Sequence, residues 1–268
     1  MDKNTILERL SGLNPDIPWT HDYDFGFSIK SIDPRNEKYQ RKARSLQKIG
    51  LLLQELLPVF SDSESLEGLK AIDLACGEGG HSIALAQKGV DVTGIEGRDL
   101  YIERARFAAD AMGLSNVQFI KGDVREIDVD TLGKFDIVIA SGILHHLSAN
   151  SFEDFLRTVK ALSRDVVVIY THVASELAVK NHRLGGPVST SNGYEGYLFR
   201  EHRDDASARE RLDRVRASLD NTFSFWATPE SLHAALRDLG FSYVFEIKHP
   251  HVFDYEPASY RPLIVAKV

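Results

Sequence analysis

From Leu69 onward the chain alternates short apolar runs with amphipathic segments, and this alternation restricts the available folds more than any other feature. LKAIDLA (69–75), VDVTGIE (90–96), NVQFIKGD (116–123), FDIVIAS (135–141) and VVVIYTH (166–172) read as strands. Helical patterns at 81–88, 99–112 and 152–162 lie between them. Continuous apolar runs suit strands buried on both faces, so the spacing predicts an α/β fold with a doubly wound, mostly parallel sheet. After an interruption the pattern resumes at Thr228, an N-cap followed by Pro229, and FSYVFEIK and YRPLIVAKV supply two last strands.

The remainder of the 268 residues falls into two blocks. Residues 1–68 form an N-terminal helical extension: an amphipathic piece at 5–10, the aromatic stretch PDIPWTHDYDFGF, and a helix over 37–57 that Pro58 is expected to end. Residues 175–227 form an inserted helical and loop cap. In it, RLGGPVSTSNGYEGY looks too rich in glycine and serine for a regular element, and REHRDDASARERLDRVRASL looks like an exposed, salt-bridged helix. The expected core is therefore 69–174 with 228–268, and both blocks are expected to cover one site.

Composition narrows the function. Hydrophobic residues are 43% and charged residues 26%, as in ordinary soluble domains, and no apolar run approaches the ~20 residues of a membrane span. A net charge of −7 disfavours nucleic acid as a partner and suits a small-molecule acceptor. The single cysteine, Cys76, and a start without the secretory pattern point to a cytoplasmic protein, either monomer or homodimer.

Directly after the first core strand stands AIDLACGEGGHS (71–82), a glycine turn leading into a helix. Such a turn lets a ligand approach the backbone, and Glu96, 19 residues beyond Gly77, is placed to accept both hydroxyls of a ribose. Dinucleotide sites keep the turn free of acids because a pyrophosphate sits there. Here Glu78 stands between the glycines and Ser82 at the sixth position, so Asp73 suits a cationic ligand better. Asp123, after the third strand, can accept a hydrogen bond from an adenine amino group. A ribose acid, an adenine acid and a cation-tolerant turn together describe S-adenosylmethionine.

These residues, with GIEGRD (94–99), FIKGDVREI (119–127) and FDIVIASGILHHL (135–147), resemble the class I S-adenosylmethionine-dependent methyltransferase family. FWATPESLHAALRDLGF (225–241) looks like the segment that introduces the last helix and strands of many members. The resemblance implies a seven-stranded Rossmann-like sheet whose final strand is antiparallel, with S-adenosylmethionine as cofactor and S-adenosylhomocysteine as product. It implies cofactor contacts from Asp73, Ala75, Gly77, Gly79, Glu96, Gly97, Arg98, Asp123, Val124 and Ser141, and Tyr39 and Arg44 on the long helix are expected to cover the cofactor carboxylate. His145 and His146 are the candidate catalytic bases, with His145 favoured, and each has a structural alternative. Phe25, Tyr194, Arg200 and Trp226 are the candidate acceptor contacts.

No metal is expected, since His145–His146 and His249–His251 lack zinc-ligand spacing. The expected reaction is methyl transfer to an oxygen or nitrogen of a small molecule. An RNA (tRNA) methyltransferase and a non-catalytic S-adenosylmethionine-binding module remain as alternatives, with a nicotinamide oxidoreductase behind them.

Overall fold

The structure, a computed structural model, describes residues 1–13, 16–61, 63–248 and 261–268. His249 and His251 lie outside the described residues. The chain divides into two compact units, Met1–Asp123 and Val124–Val268.

The first unit holds α1 (Lys3–Gly12), α2 (Glu37–Phe60), β1 (Lys70–Leu74), α3 (Gly80–Ala86), β2 (Asp91–Glu96), α4 (Asp99–Ala111) and β3 (Val117–Lys121). Strand β2 pairs in parallel with β1 and with β3. Its aromatic extension is a core in its own right: Trp19, Tyr23 and Phe25 are buried with Ile6, Ile102, Phe107 and Phe119. Helix α2 outruns the expected stop by including Pro58. A proline so near the end forfeits few backbone bonds, and the Ser61 N–H still reaches the Leu57 carbonyl at 2.8 Å.

The second unit holds α5 (Val129–Leu132), β4 (Phe135–Ser141), α6 (Ala149–Leu162), β5 (Ser163–Tyr170), α7 (Glu176–Asn181), β6 (Pro187–Ser189), β7 (Glu195–Arg200), α8 (Ala208–Asp213), β8 (Phe223–Ala227), α9 (Pro229–Asp238), β9 (Tyr243–Ile247) and β10 (Leu263–Lys267). Ile137–Ala140 and Val166–Ile169 are fully buried, as two-sided strands require. Strands β4 and β5 pair in parallel, and β10 runs antiparallel to both β5 and β9. The seven-stranded sheet has the order β3-β2-β1-β4-β5-β10-β9, a doubly wound order with one antiparallel strand.

The inserted cap differs from its helical and loop reading. It contains a three-stranded antiparallel sheet, β6-β7-β8, of which β6 lies wholly and β7 partly within the glycine- and serine-rich stretch. Gly196 is small for a packing reason, because a Cβ there would collide with the Phe225 ring and the Trp226 carbonyl. The arginine-rich segment forms only the six-residue α8, under a Ser207/Glu210 capping box. Arg209 keeps a helix neighbour, Asp213, at 3.7 Å, whereas Arg211 donates to Asp220 O and Arg214 to Glu201 O.

Candidate active site

Strand β1 ends at Leu74, and the chain turns into α3 through left-handed backbone at Ala75, Gly77 and Gly79. Gly79 caps α3 at φ 81°, and a Cβ there would lie 2.7 Å from the Phe119 ring. Nothing stands within 4 Å of where a Gly77 Cβ would be, so the backbone is open on that side. Ala75 holds φ 59° without glycine's freedom, a strain of about 1–3 kcal/mol of the kind concentrated at functional turns.

Two buried carboxylates flank the turn. Asp73 accepts from the Ser82 hydroxyl at 2.7 Å, which gives Ser82 a role the sixth position of the motif did not disclose. Burial pushes the Asp73 carboxyl up to about 6, against the lowering effect of Ser82. Glu96 accepts from the Gly77 N–H at 3.0 Å and the Arg98 N–H at 2.8 Å, and burial raises it too. Gly97 is a third backbone donor to it, and with about four acceptor sites a carboxylate held by backbone N–H groups still has capacity for a ligand hydroxyl. Buried acids held away from their charged state favour a cation beside them, which fits the sulfonium and ammonium of S-adenosylmethionine.

Glu78 corrects the sequence reading. It does not project toward a ligand as a repelling acid. Fully buried, it accepts from the Thr20 N–H (2.7 Å), the Thr20 hydroxyl (2.8 Å), the His21 N–H (3.1 Å) and the Arg104 guanidinium (2.8 Å). Arg104, also fully buried, donates further to Leu13 O and Ile17 O. This pair ties the 17–21 segment to the glycine turn, and the His21 ring lies over Gly80. Of the α2 candidates, Tyr39 is half-buried against the aromatic core and Arg44 is exposed. Gly97 and Arg98 are half-buried ahead of α4, Asp123 is half-buried after β3, Val124 is buried, and Ser141 ends β4 half-buried.

The second unit gathers histidines. A 3-10 turn, Leu144–His146, follows β4. His145 is buried; its Nδ1 accepts the His172 N–H at 3.2 Å and lies 3.0 Å from the Thr171 hydroxyl. Burial holds its imidazole well below the ordinary range, so it stays neutral. His172 stacks on Trp226 at 4.4 Å, accepts from Arg261 Nε at 3.3 Å, and is pushed by burial down to about 2. His146 behaves differently: its Nδ1 meets Glu201 Oε1 at 2.7 Å while its side chain keeps 21% exposure.

The four acceptor candidates have separate settings. Phe25 belongs to the aromatic core of the first unit, 5.0 Å from Phe107. Tyr194 donates to Asp238 at 2.8 Å and lines a cavity of about 230 Å³ with Glu153, Arg157 and Asn192. Arg200 is exposed and paired with Asp204. Trp226 alone joins the histidines, donating its Nε1–H to His145 O at 3.1 Å. Glu201, which bonds His146, and Arg104 and Thr20, which bond Glu78, were not singled out from the sequence. Among the described residues, no group of three or more His, Cys, Asp or Glu side chains could hold a metal, and no helix is long and apolar enough to cross a membrane.

Residues 65–193 match a family model described as a methyltransferase domain. Over 162 residues the chain is 30% identical to a 23S rRNA (uracil(1939)-C(5))-methyltransferase RlmD of Vibrio vulnificus, covering 56% of this chain and 33% of the relative. It is 31% identical over 141 residues to the mitochondrial ubiquinone biosynthesis O-methyltransferase of Arabidopsis thaliana, covering 52% of this chain and 41% of the relative. The chain thus spans about a third of the length of the first curated relatives it matches. Among solved structures, the N-terminal domain of EvdMO1 with SAH bound aligns over 100% of this chain and 97% of its own, with a TM-score of 0.72 and 22% identity. Magnesium protoporphyrin IX methyltransferase (ChlM) from Synechocystis with bound SAH aligns over 98% and 94%, with a TM-score of 0.56 and 15% identity.

Proposed function

We propose that this chain, which carries a methyltransferase domain of the class I S-adenosylmethionine-dependent fold, transfers a methyl group to an oxygen or nitrogen of a small-molecule acceptor. The observation that carries the reading is the glycine turn with its two buried acids, Asp73 on Ser82 and Glu96 on the Gly77 N–H. S-adenosylmethionine supplies an electrophilic methyl on a sulfonium. Asp73 receives the ammonium, Glu96 accepts both ribose hydroxyls, and Asp123 accepts from the adenine amino group. Ala75, Gly77 and Gly79 leave room for the methionine chain, with Gly97, Arg98, Val124 and Ser141 as further contacts. Tyr39 and Arg44 serve the cofactor carboxylate from α2.

The small-molecule reading draws on the −7 charge and on neighbours such as EvdMO1, solved in the presence of SAH and D-fucose, and a 1,6-didemethyltoxoflavin-N1-methyltransferase. The rRNA relatives favour a rival, methylation of RNA. A pyrimidine C5 is a poor nucleophile that needs a thiolate adduct to activate it, and this chain's single cysteine does not offer one. Cys76 is buried in the glycine turn, and burial pushes its thiol well above the ordinary range.

Thermal unfolding with S-adenosylhomocysteine or NAD tests the reading. S-adenosylhomocysteine at 100 times its Kd stabilises by about 2.7 kcal/mol, NAD gives no shift, and Glu96→Ala abolishes most of the gain. Stabilisation by NAD alone overturns the reading, and tight, salt-sensitive RNA binding transfers it to the rival.

A further inference from the structure

The histidines of the second unit differ in which nitrogen is left to do chemistry. A backbone N–H can only donate, so His145 Nδ1, which takes the His172 N–H, is bare and the proton of this neutral ring is on Nε2. Arg261 likewise fixes His172 with Nδ1 as acceptor. His146 has the opposite arrangement. Its Nδ1 faces Glu201, which is 1% exposed and also accepts from the Ser224 hydroxyl at 2.7 Å and the Ser218 N–H at 3.3 Å. Burial raises the Glu201 carboxyl, but the bonds from His146, Ser224 and Ser218 outweigh it and hold it below the usual range. An ionised carboxylate only accepts, so Nδ1 carries a proton, and in the neutral ring Nε2 is the nitrogen with the lone pair. Among the described residues nothing in the protein bonds that Nε2.

We propose that His146 Nε2 is the general base of the reaction, that Glu201 is its positioning residue, and that the acceptor is therefore a hydroxyl, an alcohol or a phenol, rather than an amine. This rests on the methyl-transfer reading above. A neutral amine already offers its lone pair and sheds its proton after transfer, whereas a hydroxyl must begin to lose its proton as the new bond forms. The step balances. The acceptor O–H bond breaks as N–H forms at Nε2, and the oxygen pair forms O–CH3 while the C–S pair returns to sulfur as a neutral thioether. The imidazolium is stabilised by Glu201 until the proton passes to solvent. The charged and titratable groups around His146 are consistent with this. His145, 4.3 Å away between ring centroids, and His172 are held neutral by burial, Arg261 sits against His172, and Arg214 is turned to the Glu201 carbonyl.

Imidazole nitrogen NMR on the full chain reads the arrangement directly. His146 is expected as the neutral Nδ1–H tautomer, and Glu201→Gln is expected to lose that preference while S-adenosylhomocysteine binds unchanged. With methyl-13C S-adenosylmethionine and a small-molecule extract, label is expected in O-methyl carbons. His146→Gln lowers kcat by about 10²–10⁴-fold with KM for S-adenosylmethionine held, and Glu201→Gln lowers it less. An Nε2–H tautomer at His146, label on nitrogen, or unchanged transfer by His146→Gln overturns the proposal. Failure of S-adenosylhomocysteine to bind the wild-type chain overturns instead the methyl-transfer reading.

Discussion

Glu78 in the first unit and Glu201 in the second are both almost fully buried, and hydrogen bonds hold both below the usual carboxylate range against the effect of burial. Their partners separate them. Glu78 meets Arg104, a guanidinium that is itself inaccessible, on one oxygen, and the His21 ring lies 3.6 Å from the other while being bonded to Thr20 as well. Glu201 meets His146, an imidazole that can gain and lose a proton and keeps an exposed edge. Burial and charge are equal in the two places, so the partner's chemistry decides the role. An arginine makes the buried acid a fastening for the 17–21 segment, and a histidine makes it the back half of a proton acceptor.

The largest effect is expected at Arg104. Arg104→Ala takes the guanidinium from a buried Glu78, leaves it only the hydrogen bonds of Thr20 and His21, and frees two carbonyls, at a cost of about 3–5 kcal/mol in urea unfolding. Adding Glu78→Gln is expected to recover part of that loss. A cost below about 1 kcal/mol would mean that the pair does not fasten the segment.

Asp73 is the next test, because it is a buried acid with neither arginine nor histidine bonded to it, only Ser82. Burial raises its carboxyl from 3.8 to about 6, worth about 3 kcal/mol. The unfolded chain gives up this proton first. Its contribution to stability is therefore complete below about 3.8 and is lost as pH rises through about 6. Asp73→Asn is expected to flatten stability between pH 4 and 7, to stabilise the apo protein near neutrality, and to weaken S-adenosylhomocysteine binding. If the wild-type curve is already flat over that interval, Asp73 is paired in solution more strongly than Ser82 alone allows.

Much of the fold and half of the site could be read from the sequence because they are local. Residues 71–82 carry strand, turn and helix in one stretch, and Glu96 sits at a distance set by one strand–helix–strand passage. Glu201 is different: its partner His146 is 55 residues away, and it stands directly after β7, at the start of a segment that read as an exposed, salt-bridged helix. Gly196 concealed β7 itself, since its smallness serves Phe225 rather than a turn. Arg104 was hidden by the opposite effect, a charged residue on a helix that ordinarily faces water but here turns inward to Glu78. Glu78 was misread for the same reason, because no pattern shows which way a side chain inside a turn will point. The choice between His145 and His146 needed the donors around each ring, and His172 N–H and Glu201 come from separate elements.

The smallest effects separate the two glutamates. Ser224→Ala and Thr20→Val each delete one hydroxyl donor to a buried glutamate, Ser224 to Glu201 and Thr20 to Glu78. Glu78 retains two backbone N–H groups and the guanidinium, so Thr20→Val is expected to cost about 1 kcal/mol in urea unfolding and nothing in catalysis. Glu201 retains only His146 and one N–H at 3.3 Å, so Ser224→Ala is expected to cost up to about 2 kcal/mol and to lower kcat several-fold. The Nδ1–H tautomer should survive, because the carboxylate remains to accept it. If the two substitutions prove equal in both stability and turnover, Glu201 is a fastening like Glu78, and His146 owes its orientation to something other than the acid behind it.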